Sequence, residues 1–144
     1  MTCCFFVHKD TPPSVRDRLE ATVEKLIIEQ NVTSFLVGNQ GQFDSMVLAV
    51  LRDLKCKYPF ISYNVVLANM PTAKMEWNPY EPWETLFPEG MESIHPRYAI
   101  SKRNEWMLSE ADIIVCYITR SWGGAAKFVG KALNKKKTII NIAL

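Results

Sequence analysis

The sequence lacks the features that define disulfide-stapled, metal-binding and membrane-spanning proteins. Only four cysteines occur in 144 residues, two of them adjacent at Cys3 and Cys4, and there is no Cys-x-x-Cys pair. This spacing indicates neither a disulfide framework nor a zinc or other metal site, so we expect reduced, buried thiols in a cytoplasmic protein. No apolar run approaches the length of a transmembrane helix, and Met1 leads directly into a predicted strand rather than into a signal peptide. We therefore expect no contact with a membrane.

An excess of charge of one sign is also missing. The 17 lysines and arginines are nearly balanced by 15 aspartates and glutamates, which leaves a formal net charge of +2. A protein that tracks the phosphates of a nucleic acid needs a strongly basic surface, so nucleic acid is not an expected partner. The three consecutive lysines at 135–137 are most simply a solvated helix end.

The predicted elements alternate between strands and helices over the whole chain. Apolar and β-branched runs predict strands at 3–7, 32–37, 61–68, 112–118 and 138–143. Helical spacing places Val15, Leu19, Val23, Leu26 and Ile27 on one apolar stripe, in a helix that Thr11 would cap with Pro12 at its first position. Further helices are predicted at 45–54, 98–109 and from Gly124 through Leu133. This order predicts one α/β domain spanning 1–144, with a Rossmann-like, open, mostly parallel sheet and helices on both faces.

One segment, 70–94, departs from this alternation. Four prolines are interleaved there with large aromatic residues, namely Trp77, Tyr80, Trp83 and Phe87. Proline disfavours a regular strand or helix, so we expect an irregular insertion that covers the domain, closes over a ligand or mediates assembly into a homo-oligomer.

Two glycine-bearing turns follow predicted strands. Gly38-Asn39-Gln40-Gly41 joins a buried strand to a helix, and the turn ending in Trp122-Gly123-Gly124-Ala125 does the same later in the chain. Such turns emerge at the carboxyl edge of a parallel sheet, where free backbone N–H groups and a helix dipole favour an anion such as phosphate. Neither the dinucleotide fingerprint nor a P-loop is present, and glycines needed only for a tight turn remain an alternative.

Four motifs in order resemble the SLOG superfamily, and more narrowly its short, single-domain YpsA/YoqJ-like branch. They are Phe-x-x-His at 5–8, Gly-Asn-Gln-Gly-x-Phe-Asp at 38–44, Arg-x-Ala-Ile-Ser-x-Arg-Asn-x-x-Met at 97–107, and Ser-Trp-Gly-Gly-Ala at 121–125. The resemblance implies a Rossmann-like fold with a pocket for nucleotides or nucleotide-derived molecules. Relatives include phosphoribohydrolases, DNA-processing proteins and sensors of NAD-derived or cyclic-nucleotide signals in defence against phages.

The resemblance assigns ligand contacts at three places, each with an alternative. His8 and Lys9 stand where the family carries Gly-His-Arg; His8 could instead cap a helix, and lysine supplies only a point charge where arginine would bind phosphate in a bidentate manner. Asp44 would hold ribose hydroxyls or simply cap its helix. Arg103 and Asn104 would contact the ligand, although Arg103 could be a surface residue paired with Glu110 or Asp112; for the nearby Arg97 the choice stays open.

Trp122 and its glycines raise the question of catalysis. The indole could stack on a nucleobase, or it could pack in the core. The hydrolase branch carries a glutamate after its glycines, whereas no aspartate or glutamate follows Asp112 here. Because cleavage of an N-glycosidic bond normally needs a carboxylate, we expect a binder of a nucleotide-derived molecule, as a sensor or sequestering protein, with no catalytic residue assigned. The alternatives are a phosphoribohydrolase acting on nucleoside monophosphates and a non-catalytic interaction module.

Overall fold

A single parallel sheet organises the molecule. The computed structural model describes residues 1–7, 11–39, 41–69 and 80–143, with the backbone alone for Gly41 and Gln42. Its six strands are all parallel and lie in the order β4-β3-β2-β1-β5-β6. Helices cover both faces, which confirms the predicted Rossmann-like α/β architecture.

The strands are short and consist mostly of buried, β-branched or aromatic residues. Their bounds are β1 Thr2–Val7, β2 Ser34–Val37, β3 Ser62–Val66, β4 Thr85–Leu86, β5 Ile113–Tyr117 and β6 Thr138–Asn141. The central strands β1 and β5 are buried on both faces, as expected of strands inside a parallel sheet.

Four α-helices are described: α1 Arg16–Gln30, α2 Gly41–Lys57, α3 Ala99–Glu110 and α4 Gly124–Asn134. Leu19, Val23 and Leu51 of α1 and α2 belong to the core on one face of the sheet, together with Phe5 and Phe35 of the strands. On the other face, side chains of α3 and α4 pack against alternate strand residues; Met107 and Phe128 join Cys4 and Phe6 there. The predicted stripe on α1 is confirmed, since Val15, Leu19, Val23, Leu26 and Ile27 are all buried.

Two sequence-based boundaries were wrong. A 3-10 turn at Pro13–Val15, capped by Pro12, precedes α1, so Thr11 does not occupy the cap position. Helix α2 begins at Gly41 rather than at Ser45, because glycine adopts helical backbone angles as readily as turn angles.

The segment 70–94 also differs from its prediction where it is described. Thr85–Leu86 forms a sixth strand beside β3, preceded by a 3-10 turn at Pro82–Glu84. The prolines lie outside the two residues of β4, so they shorten this edge strand without preventing it. Tyr80 and Phe87 pack against the core, whereas Trp83 is exposed; Trp77 lies outside the described residues.

The four cysteines are free, and three of them are buried as expected. Cys3, Cys4 and Cys116 lie inside the sheet, and burial raises the pKa of Cys116 to about 11. Cys56 was predicted to be buried but is exposed, because it lies on the outer side of α2. Within the described residues, no helix combines the length and apolar character needed to cross a membrane.

Candidate functional site at the carboxyl edge of the sheet

The strand order creates a crevice at the carboxyl edge. The direction in which successive strands are added to the sheet reverses between β1 and β5: β2, β3 and β4 follow on one side of β1, and β5 and β6 follow on the other. The helix after β2, α2, packs on one face of the sheet, and the helix after β5, α4, packs on the other. In open α/β sheets, ligands bind at such a switch point. Since only β1 separates β2 from β5, their ends lie about 10 Å apart.

Arg103 is the best-buried charged side chain at this edge, with only 2% of its surface exposed. It starts on α3 and reaches the ends of two strands. Its Nη1 donates to the Asn39 side-chain oxygen at 3.0 Å and to the Val66 carbonyl oxygen at 3.1 Å, while its Nε donates to Asn104 Oδ1 at 2.8 Å. Arg103 therefore ties α3 to the ends of β2 and β3, and the alternative of a surface ion pair is wrong.

Gly38 lies against this guanidinium. A Cβ atom on Gly38 would come within 2.9 Å of Asp44 Oδ2 and 3.0 Å of Arg103 Nη1. Both distances are shorter than a normal van der Waals contact, so any side chain would displace one of these charged groups. Glycine at this position lets the carboxylate of Asp44 and the guanidinium of Arg103 both approach the backbone where a Cβ atom would stand.

Electrostatic coupling extends this group of residues. Burial lowers the pKa of Arg103, and the negative charge of Asp44 opposes that shift. Burial, followed by the charge of Asp44, raises the pKa of Tyr80. Tyr80 is thus close enough to respond to the charges of Asp44 and Arg103, and it responds also to those of Arg52 and Glu84.

The first turn of α2 completes this side of the site. Asp44 lies in that turn, and the helix begins at Gly41, so the amide groups of this turn face the edge. A carboxylate in a first turn is favourable to the helix dipole, so Asp44 still suits either a helix-stabilising or a ribose-binding role. Gln40 lies outside the described residues.

The loop after β5 forms the second side of the site. Trp122 is 68% exposed, and the guanidinium of Arg120 lies 4.3 Å from the centroid of its indole ring. This excludes the alternative in which Trp122 packs in the core. Gly123 follows with φ 103 and caps α4, a left-handed conformation that side chains rarely adopt. Gly124 is exposed, and Ala125 is partly buried against the core.

Sequence reasoning missed Asn141, the residue that fixes this loop. The side chain of Asn141, at the end of β6, accepts from the Ile118 backbone N–H at 3.1 Å and donates to the Ile118 carbonyl oxygen at 3.0 Å. Its Oδ1 also accepts from the Ala143 N–H at 3.0 Å. The amide side chain of Asn141 thus continues the hydrogen bonding between β5 and β6 by one residue beyond the end of β5. The signal in the sequence was an asparagine at the carboxyl end of an otherwise apolar strand.

The remaining predicted residues lie elsewhere or outside the described part of the chain. Arg97 is exposed, with its guanidinium 5.8 Å from the Tyr98 ring centroid, and its backbone N–H donates to His95 Nδ1 at 3.1 Å. His8 and Lys9 lie outside the described residues. The structure therefore brings Gly38, Asn39, Asp44, Arg103 and Asn104 together, and places Trp122, Gly123, Gly124 and Ala125 on the neighbouring loop.

A second polar cluster lies near the beginning of β3, away from the carboxyl edge. Glu84 is 1% exposed and accepts two hydrogen bonds from Arg52, at 2.8 Å from Nε and 2.7 Å from Nη2, and a third from the Tyr63 hydroxyl at 2.6 Å. These bonds hold the pKa of Glu84 at about 2. Trp83 and Cys56 line the open groove of about 470 Å³ beside this cluster.

In the part of the chain that the structure describes, no cluster of three histidine, cysteine, aspartate or glutamate residues could hold a metal ion. In comparisons with known proteins, neither a family model nor a curated protein matches the chain.

Proposed function

We propose that the protein binds a nucleotide-derived small molecule at the carboxyl edge of its sheet, as a sensor or a sequestering protein. One observation carries this proposal: the exposed indole of Trp122 stands at the switch point, directly before the N-terminus of α4, with a guanidinium stacked on it. An exposed tryptophan is costly to keep in water and offers a surface on which any nucleobase can stack.

The neighbouring groups suit the rest of a nucleotide. The free amides at the start of α4 and the positive charge of Arg120 favour phosphate. About 10 Å away, the end of β2 and the first turn of α2 present Asn39 and Asp44, whose side chains can bond hydroxyl groups. A ligand that combines a base, a ribose and phosphate spans these two sides.

Arg103 stabilises the carboxyl edge of the sheet from within the protein. Its hydrogen bonds to Asn39 and Asn104 hold the β2 turn in place, and its proximity to Asp44 fixes the start of α2. A direct contact between Arg103 and the ligand stays a prediction. The SLOG resemblance of the four motifs points to the same class of ligand, and a role in phage defence or counter-defence follows from that resemblance alone.

Binding of a nucleotide is tested by titration of the purified protein with AMP, ADP, NAD and ADP-ribose in a calorimeter. We expect at least one of them to bind and to raise the melting temperature, because a ligand of the native state stabilises it. Replacement of Trp122 by alanine removes the stacking surface and weakens binding about 5- to 150-fold, which corresponds to about 1–3 kcal/mol.

Trp83→Ala is the matched control, since Trp83 is exposed to nearly the same extent, 63%, but lies near the start of β3. It is expected to bind the nucleotide as the wild type does. Failure of all four probes to bind, or equal affinities of Trp122→Ala and the wild type, would contradict the proposal.

Binding without cleavage is tested by prolonged incubation with AMP and NAD. We expect no free adenine or nicotinamide above background, because no carboxylate follows Asp112 in the chain. Release of base that is lost in the Asp44→Asn variant would favour the phosphoribohydrolase alternative.

A further inference from the structure

We propose that strand β6 pairs, antiparallel and across a two-fold axis at Ile140, with β6 of a second copy of this chain. The contact surface is the unpaired lateral edge of β6, and not the 70–94 segment that the sequence suggested for assembly. This inference concerns assembly and does not depend on a bound nucleotide.

The backbone groups of β6 divide into two sets. The N–H of Thr138 donates to the Asp112 carbonyl oxygen at 3.2 Å, and that of Ile142 donates to the Cys116 carbonyl oxygen at 2.8 Å, so these residues point towards β5. Successive residues of a strand point their backbone groups to opposite sides, so Ile140 also faces β5. Ile139 and Asn141 then present their N–H and C=O groups to the open side.

The run of unpaired backbone groups on the outer edge of β6 is bounded at both ends by N–H groups that already donate a hydrogen bond. The N–H of Lys137 donates to the Ala132 carbonyl oxygen at 3.0 Å, and the N–H of Ala143 donates to Asn141 Oδ1 at 3.0 Å. The N–H groups of Lys137 and Ala143 are therefore already engaged. An axis at Ile140 pairs Ile139 with the second copy's residue 141 and uses all the open groups, forming four backbone hydrogen bonds. An axis at Ile139 or at Asn141 would need one of the engaged N–H groups.

The two edge strands of the sheet, β4 and β6, differ in how well they are protected against pairing with another strand. Natural proteins protect edge strands by shortening them or by adding charge or proline. Strand β4 has two residues and lies between Pro82 and Pro88. Strand β6 has four residues, Thr-Ile-Ile-Asn, with no charge and no proline, and in the described part of the chain it pairs on one side only.

Charge selects the antiparallel orientation. The three lysines at 135–137 directly precede β6. Parallel pairing would place the two lysine runs side by side. In the antiparallel pair they lie on opposite sides of the axis, on the order of 25 Å apart, well beyond the screening length in physiological salt.

Apolar groups beside the strand add to the contact. Ile139 and Ile140 are only partly buried, one on each face of the sheet, and Leu133 in the last turn of α4 is 62% exposed. Helix α4 packs against β6, and the Lys137 N–H, directly before β6, donates to the carbonyl oxygen of Ala132, the residue before Leu133. The surface is small, so we expect a dimer that forms reversibly as the protein concentration rises.

Position-specific cross-linking tests the register. At the axis, the two copies of residue 140 form a non-hydrogen-bonded pair with Cα atoms about 4.5 Å apart, which suits a disulfide. In a Cys56→Ser background, Ile140→Cys is expected to form a covalent dimer under mild oxidation. Thr138→Cys is the control: its two copies lie about 13 Å apart, beyond the reach of a disulfide.

Light scattering of the wild type tests the dimer itself, and Ile139→Pro tests the role of the outward N–H. Proline there removes a donor that β5 does not use, so we expect a folded monomer by circular dichroism and scattering. Equal cross-linking at both positions, no cross-linking at 140, or a wild type that stays monomeric at every concentration would overturn the proposal.

Discussion

Gly38 shows how one absent side chain organises a site. The carboxylate of Asp44 and the guanidinium of Arg103 both lie within about 3 Å of the place where its Cβ would stand. The sequence indicated a glycine that lets a ligand approach the backbone. In the structure, the groups that approach this glycine belong to the protein itself. Glycine is therefore required here whether or not a phosphate binds beside it.

Gly38→Ala is therefore expected to lower the free energy of unfolding by about 1–3 kcal/mol, because the new methyl group must displace a charged side chain or the backbone. Gly130→Ala is the control. Gly130 lies within α4 with open space around its Cβ position, so alanine there is expected to stabilise the protein by about 0.5–1 kcal/mol. Urea denaturation of both variants measures the difference, and a neutral Gly38→Ala would contradict the close approach.

Glu84 makes the stability depend on pH. Its pKa in the folded protein is about 2, below its ordinary value of 4.5, chiefly because Arg52 donates hydrogen bonds to the ionised form. The stabilisation is therefore fully present above pH 4.5 and is lost as the pH falls towards 2. At neutral pH, Glu84→Gln is expected to lower the free energy of unfolding by about 2–3 kcal/mol.

This difference between Glu84→Gln and the wild type should narrow steadily between about pH 5 and pH 2. Asp53→Asn is the matched control, because it removes a carboxylate whose pair with Arg16, at 3.2 Å, is exposed to solvent. Little change is expected there at any pH. A Glu84→Gln deficit that is the same at pH 7 and at pH 2 would show that the carboxylate contributes by shape and not by charge.

At the scale of elements, β6 positions the loop after β5. Asn141 bonds both backbone groups of Ile118, the first residue of the loop that carries Arg120 and Trp122. Hydrogen exchange reports how often such a loop opens.

Asn141→Ala is expected to increase deuterium uptake across residues 118–123 and to lower the free energy of unfolding by about 1–2 kcal/mol, because it leaves partly buried backbone groups unsatisfied. Asn134→Ala, at the exposed end of α4, should change neither quantity. Unchanged exchange at 118–123 in Asn141→Ala would mean that the loop is held by other contacts.

At the scale of the whole molecule, the four thiols report on the fold. Cys3, Cys4 and Cys116 are buried in the sheet, and burial raises the pKa of each, which suppresses the reactive thiolate. Cys56 is exposed on α2. The native protein is expected to react rapidly with a thiol reagent at one site, and the protein in denaturant at four.

The Cys56→Ser variant should show no rapid reaction, so its slow phase should follow unfolding of the sheet. Rapid reaction of two or more thiols in the native protein would contradict the burial of β1 and β5. The same variant serves as the background for the cross-linking experiment.

The sequence by itself determined the alternation of elements, the parallel sheet and the buried stripe on α1, because these follow from local hydrophobic periodicity and from the turns between elements. It also located both glycine turns at the carboxyl edge. These properties depend on neighbours along the chain, so a single sequence contains the information needed to predict them.

Only the tertiary structure decided what surrounds each candidate residue. Arg103 is a buried link between α3 and two strands, and Asn141 holds a loop that begins 23 residues earlier in the chain. Trp122 stands in water although its size favours burial, and Glu84 is buried although its charge favours exposure. In each case the burial and contacts of the residue depend on partners that are distant along the chain. The hydrophobic pattern around a residue does not predict these partners.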